Sequence, residues 1–340
     1  MNRLNLLVIG FYFATALCSS CNKPDDDDKK RDVYVAGWES NTQGVYVAVL
    51  WKNGIPQYLT DGTENASAMS VFVSGDDVYV VGENPSNTVV LWKNGELQYL
   101  TDGEKSFSGC GSVFVSGNDV YVAGYDGQRA VLWKNGVAQE LTEGLFDSCA
   151  ISVFVSDNDV YVAGFDENFE RGRDATIWKN GVAQKLNDCP SPISLAYCVY
   201  VMGNDVYVTG YAYNGTDEYG NNMSVAKLWK NGMEQTLSKD YAEARSIYIS
   251  ENDVYVALTT GPSTTKRAAL WKNGTVQNLT NEYSKIEGSN SVYVSREDVY
   301  VVGDELKPHS NWVAKLWKNG VAQDLTSGKT NAGANSVFVK

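Results

Sequence analysis

The chain has one histidine in 340 residues, His309. A repeated histidine metal site is therefore excluded, and a serine–histidine–aspartate triad has a single available base. Basic residues are in deficit: 28 Lys and Arg against 41 Asp and Glu leave a net charge of −13. That balance argues against nucleic acid, or an anionic membrane surface, as the main partner. Apolar residues spaced every three to four positions are missing, so helix is not expected. The one long apolar run lies at the N-terminus, and no membrane-length span follows it. Walker A loops, EF-hand loops and Ser-x-Asp-x-Gly-x-x-Trp boxes are absent. No metal or cofactor is expected.

What the sequence does have is a repeat. Trp-Lys-Asn-Gly begins at Trp51, Trp92, Trp133, Trp178, Trp229, Trp271 and Trp317. Asp-Val-Tyr-Val begins at Asp32, Asp77, Asp119, Asp159, Asp205, Asp253 and Asp298. The stretch 112–144 shows the whole unit, with β-patterned runs at 112–115, 119–123, 130–133 and 137–142. Apolar residues there alternate by two, with Val120 and Val122 on one face and Tyr121 and Ala123 on the other. Asn135-Gly136 is a strong hairpin signal, because both residues accept positive φ. Ser116-Gly117-Asn118 reads as a turn of the same kind.

A period of about 40–45 residues with four strands per unit is that of a propeller blade. The ends fix the count. Asp32 has no Ser-Val-Phe-Val run before it, and the chain finishes on Ser336-Val337-Phe338-Val339 with no Asp-Val-Tyr-Val after it. A ring closes if the last strand becomes the inner strand of blade one, which also removes two open sheet edges. On these motifs residues 32–340 resemble a seven-bladed β-propeller. The expected fold is all-β, with four antiparallel strands per blade and the C-terminal strand joined to the N-terminal blade.

Residues 1–21 read as a targeting segment, with Arg3 ahead of the apolar stretch 4–17. Leu17-Cys18-Ser19-Ser20-Cys21 resembles the lipobox of bacterial lipoproteins, which implies lipidation of Cys21. The alternative is an ordinary secretory peptide. Residues 22–31 form a polar linker, Asp25 to Asp28 followed by Lys29-Lys30-Arg31. An acidic run so placed resembles a surface-export signal and reads equally as a solubilising tether. The resemblance implies an exported protein, lipid-anchored to the outer membrane and facing the surface or the periplasm. A monomer that meets the membrane only through its lipid is expected.

With strands named A to D from the axis outward, the A–B and C–D turns share one face of the ring. That face is monotonous. The opposite face carries the unequal B–C loops at 38–44, 83–87, 125–128, 165–174, 211–224, 259–267 and 304–311, together with the D–A loops. A scaffold that repeats on one face and varies on the other carries binding on the varied one. Trp38, Tyr125, Phe165 and Tyr211 follow strand B directly, and Phe169, Arg171, Arg173, Tyr213, Tyr219 and Trp312 lie in the loops. Aromatics beside hydrogen-bonding groups suit sugar rings or peptide segments, although each can instead cover the end of the core between blades. Asp166, Glu167, Glu170, Asp217 and Glu218 keep a glycosidase pair open.

Each inner strand also carries a small residue two places before its serine position: Ala68, Cys110, Ala150, Ala196, Ala244, Ser289 and Ala334. The residue between varies: Met69, Gly111, Ile151, Tyr197, Arg245, Asn290 and Asn335. The small set lets strands crowd the axis. The varied set lines the mouth of a channel, with Tyr197 and Arg245 as the chief ligand contacts. The repeated Trp residues read as packing wedges, and the repeated Lys residues as solvated turn residues rather than a basic ring. Cys110, Cys149, Cys189 and Cys198 read as disulfide partners or as buried free thiols. The first functional reading is a non-catalytic envelope module that binds a glycan or a protein. A glycan hydrolase or lyase, and a scaffold of an envelope complex, are the alternatives.

Overall fold

The computed structural model describes residues 31–84, 88–104, 107–169, 172–186, 193–216, 220, 222–262, 265–280, 285–306 and 311–340. Residues 1–30, with the expected targeting segment, Cys21 and the expected linker, lie outside these residues, as do Glu170, Arg171, Cys189, Asp217, Glu218, Tyr219 and His309. Every described element is a β-strand, and 28 strands form seven four-stranded sheets. In the first sheet Ala332–Val339 pairs with Val33–Ser40, followed outward by Tyr46–Lys52 and Ile55–Tyr58. The register runs from Val33↔Val339 to Glu39↔Ala332. Asp32 and Lys340 exchange backbone hydrogen bonds of 3.1 and 2.9 Å. The chain is a seven-bladed propeller, and its last strand completes its first blade. Blades two to seven follow at 67–99, 108–140, 148–185, 194–236, 242–278 and 285–324.

The repeat forms this ring because each sheet is apolar on both faces. Seven core clusters lie between successive blades. One joins Val81 and Val89 of blade two to Val113, Val115 and Trp133 of blade three. All seven Trp residues of the tetrads are between 0 and 5 % exposed, so they act as the expected wedges. Burying such a side chain contributes several kcal/mol, on the order of the 3–5 kcal/mol lost on Trp→Ala.

The turns obey two rules rather than one. In all seven C–D turns Asn and Gly both have positive φ, as at Asn135 (51°) and Gly136 (81°), which matches a type I′ hairpin. In the A–B turns only the first residue does: Gly75, Gly117 and Gly203, and also Asp157, Glu251 and Arg296. The expectation that Gly117-Asn118 repeats the Asn-Gly geometry is thus corrected. The long B–C connections are corrected too. In blade four Asp159–Asn168 pairs with Gly172–Lys179, with Glu167 opposite Arg173. In blade five Asp205–Thr216 pairs with Asn222–Lys230, with Tyr213 opposite Ser224. Much of each expected loop is therefore a prolonged hairpin.

Candidate binding face and axial cavity

The turn face is built from seven copies of one clasp, which links the two repeated motifs. In blade three the Lys134 ammonium lies 2.7 Å from Asp119 and 5.3 Å from the centre of the Tyr121 ring. Asn135 donates to Asp119 at 2.7 Å and accepts the Val120 N–H at 2.8 Å. The same Lys–Asp contact, at 2.7–2.8 Å, recurs in every other blade. Each of the seven Asp carboxyls is held below its ordinary range, first by its Lys partner. The expected solvated lysines are thus paired, although about half of the Lys134 side chain stays exposed. The reason is spatial: hairpin pairing puts the first Asp of strand B beside the end of strand C.

The opposite end of the inner strands is organised by bulges. Pairing skips Met69, Gly111, Ile151, Tyr197, Arg245, Asn290 and Asn335, one in each blade. A bulge re-aims its extra side chain, and here all seven varied residues line one cavity of about 370 Å³ on the axis. Gly111 is required by this crowding, since a Cβ there would lie 1.9 Å from the Ile151 carbonyl oxygen. Below the bulges Ser hydroxyls join blade to blade. Ser112 accepts the Val153 N–H at 2.8 Å, and Ser70, Ser152, Ser246, Ser291 and Ser336 do the same for the next blade at 3.2–3.3 Å. Cys198 stands where the seventh serine would be.

About 6.6 Å further along each strand, two residues on, the axis is ringed by aromatics. Phe72, Phe114, Phe154, Tyr200, Tyr248, Tyr293 and Phe338 form a closed circle with neighbouring centroids 4.7–5.2 Å apart. The sequence reading missed this ring. Its signal was present, because the third residue of every Ser-Val-Phe-Val run or its equivalent is Phe or Tyr. The serine layer with Cys198 floors the cavity, the aromatic ring lies beyond that layer, and the cavity opens on the B–C/D–A side.

The rim brings together some candidate residues and separates others. Tyr197 stands 5.6 Å from Tyr211, which stands 5.7 Å from Tyr213. The Arg245 guanidinium covers the Tyr197 ring at 4.7 Å and pairs with Glu243 at 2.6 Å. Burial pushes the Tyr197 hydroxyl up to about 12, against the opposing pull of Arg245. Arg173 covers Phe165 at 4.7 Å and pairs with Glu167 at 3.4 Å. Phe165 is only 8 % exposed and so ends the core rather than offering a platform. Phe169 is 89 % exposed and stands 6.5 Å from Phe146. Trp38 packs on Tyr46 at 4.5 Å in blade one, and the Trp312 N–H is bonded to Asn331 in blade seven. Burial, then the charge of Glu83, raises Tyr125 to about 12.

Two carboxylates near the end of strand B are used as staples. Glu83 accepts the Cys110 N–H at 3.3 Å, and Asp304 accepts the Ala334 N–H at 2.7 Å. Of the glycosidase candidates, Asp166 takes the Ser148 hydroxyl at 2.8 Å and Glu167 takes Arg173. Cys110, Cys149 and Cys198 are free thiols that line the cavity. Burial raises all three, Cys149 to about 12, which keeps them protonated and weakly nucleophilic near neutral pH.

No protein-family model matches the chain, and no curated protein matches it. The fold has solved counterparts. The β-propeller domain of the Trilobed protease from Pyrococcus furiosus is 12 % identical, with a TM-score of 0.53, over 88 % of this chain and 93 % of that one. That domain is described as an open velcro, whereas here Ala332–Val339 closes the ring. A puromycin-hydrolyzing peptidase of Mycobacterium tuberculosis is 11 % identical at a TM-score of 0.53, over 78 % of this chain and 46 % of that one. An acylaminoacyl peptidase is 14 % identical at 0.51, over 88 % of this chain and 51 % of that one. The chain spans about half the length of these two peptidases. At such identities the likeness shows the fold alone.

Proposed function

We propose that the protein is a non-catalytic binding module of the bacterial cell envelope that takes a glycan or protein ligand on its B–C/D–A face. The observation that carries this reading is the contrast between the ends of the ring. On the turn face, Asp, Lys, Tyr and Asn of each blade satisfy one another in the same clasp. On the other face, seven residues of six kinds surround a cavity with Tyr197, Tyr211, Tyr213 and Arg245 at its edge. A concave site with an apolar wall and a few directed polar groups is the usual form of a ligand site. The lipobox-like Leu17-Cys18-Ser19-Ser20-Cys21 supports the envelope part of the reading, in which a lipid on Cys21 tethers the module to the outer membrane, facing the surface or the periplasm.

A glycan array and envelope-protein pull-downs with the purified ring test the reading. A ligand lost on replacing Tyr197 and Tyr213 with Ala, and kept on replacing Lys134, is the expected result. A ligand with the reverse pattern places binding on the turn face and overturns it. Cys21→Ala releases the protein from the membrane fraction if the tether is lipid. Unchanged fractionation removes that part of the proposal.

A further inference from the structure

The cavity wall is divided. Blades two to four contribute Met69, Gly111 and Ile151, and blades five, six, seven and one contribute Tyr197, Arg245, Asn290 and Asn335. The aromatic ring beyond the serine layer is divided along nearly the same line. Phe72, Phe114 and Phe154 lie on the apolar side, and Tyr200, Tyr248 and Tyr293, with Phe338, lie on the polar side. Cys110 and Cys149 extend the apolar wall, and Cys198 lies on the other side, within the layer of serines that is common to both. A ring with seven-fold repetition in its strands thus encloses a space with two chemically different halves.

Arg245 is the one charged residue among those lining the cavity. It is a cation in a protein of net charge −13. Glu243 engages one of its terminal nitrogens at 2.6 Å but does not line the cavity. Lys266, 3.7 Å from Glu243, leaves the three-residue cluster with a net positive charge. The Arg245 Nε is buried and has no partner among the described residues. A buried donor left unmet is costly, and guanidinium matches carboxylate geometry better than any other side chain does. Asn290 and Asn335 each give an amide hydrogen to the next blade, to the Ala334 and Ala68 carbonyls at 2.9 Å, and so stand fixed in the cavity wall.

We propose that the axial cavity receives a carboxylate that carries an apolar group next to it, with the carboxylate at Arg245 and the apolar group against Met69 and Ile151. This rests on the binding reading above and narrows its ligand class. The volume, about 370 Å³, lies at the small end of the roughly 300–1,000 Å³ usual for ligand pockets. It suits one or two residues of a chain and not an extended polymer. Two sources share this chemistry: the C-terminal residue of a polypeptide, and a free hydrophobic carboxylic acid.

The test follows the methyl resonances of Met69 and Ile151 in the whole propeller while acids are titrated in. N-acetyl-leucine and N-acetyl-phenylalanine are expected to shift both. Their primary amides, which lack the charge, should bind at least about tenfold more weakly, as for loss of one charge-assisted hydrogen bond. Glucuronate, which lacks the apolar group, should also bind more weakly than N-acetyl-leucine. Arg245→Gln should abolish the difference between acid and amide, and the acid–amide comparison on the unaltered protein stands even if that variant does not fold. A tripeptide ending in free leucine that binds at least about tenfold tighter than N-acetyl-leucine identifies a polypeptide terminus, and equal affinity identifies a free acid. Equal binding of acid and amide, equal binding of glucuronate, or no methyl shift at millimolar acid overturns the proposal. None of those three results touches the broader reading, which falls only with the array and pull-down results described above.

Discussion

The two ends of the same strands solve opposite problems. At the turn face every blade repeats Asp, Lys, Tyr and Asn in one geometry, and the polar groups close on each other. At the loop face the residue at the same bulge varies from blade to blade, with six kinds in seven places. Between them lie two layers of repeated kind, six serine hydroxyls with Cys198 and the ring of Phe and Tyr. Uniformity is what folding asks of a repeat, since each blade must fit its neighbours by the same contacts. Variation begins one residue above the serine layer, and that boundary separates what holds the ring from what the ring displays.

The comparison breaks most completely if the ring is opened, because both faces depend on closure. Removing residues 335–340 deletes most of the inner strand of blade one, with buried Val337 and Val339 and the aromatic partner of Phe72 and Tyr293. Each such side chain contributes about 1.5–3 kcal/mol, and the sum with the lost strand pairing rivals the whole 5–15 kcal/mol or so of a typical protein. Loss of cooperative unfolding, followed by circular dichroism, is expected. A truncated protein that melts at the parental temperature would contradict the closure.

A pair of phenylalanines sharpens the same boundary. Phe165 and Phe169 belong to one prolonged hairpin, yet the first is 8 % and the second 89 % exposed. Phe165→Ala should cost about 3 kcal/mol, as for other buried Phe. Phe169→Ala should stay within about 0.5 kcal/mol. Chemical denaturation of both variants reads the difference. Equal losses would mean that Phe169 is covered in solution.

This pair also shows where the sequence ceased to be legible. Blade number, strand order and closure followed from motifs that recur seven times, because each blade states its own turns and alternation. Alternation by two tells which residues share a face of a sheet, but not which faces meet at the axis. Phe114 therefore read only as one strand residue among others, although its partners Phe72 and Phe154 stand at the same place in the neighbouring repeats. The bulge was visible only as a small residue, a varied one and a serine. That spacing led correctly to a cavity lined by Met69, Tyr197 and Arg245, but not to its division into halves. The pairing of Lys134 with Asp119 needed the knowledge that strands B and C put their ends together.

Acid should act on the turn face before the loop face. Seven aspartates there have lowered values, so their protonation is favoured in the unfolded chain. Their contribution is complete above the unfolded value of about 3.9 and is lost as pH falls through the lower folded values. Glu83 has the opposite sign, since burial raises it, but it is one group against seven. The melting temperature should therefore be flat above pH of about 5 and fall below about 4. The fall should shrink in high salt, because these pairs are largely exposed and screened. A melting temperature that rises on acidification would show that Glu83, not the clasps, dominates.

The smallest effect is expected at the one irregular member of the hydroxyl layer. Six serines accept an N–H from the next blade, and in the seventh place the Cys198 sulfur faces the Ile247 N–H. Ser152 also reaches Cys198, at 3.9 Å to the sulfur. Sulfur is a weak acceptor, whereas a hydroxyl forms the shorter bond seen in the other blades. Cys198→Ser should therefore extend the layer to seven and stabilise the ring by about 0.5–1 kcal/mol, a rise of a few degrees at most. The opposing term is the loss of a small apolar group from a buried site, since a free Cys packs as a hydrophobe. The reciprocal change Ser112→Cys separates the two. If the hydrogen bond governs, Ser112→Cys lowers the melting temperature by a similar amount. If apolar burial governs, Cys198→Ser is the destabilising change, and the uniform layer is a matter of packing rather than of bonding between blades.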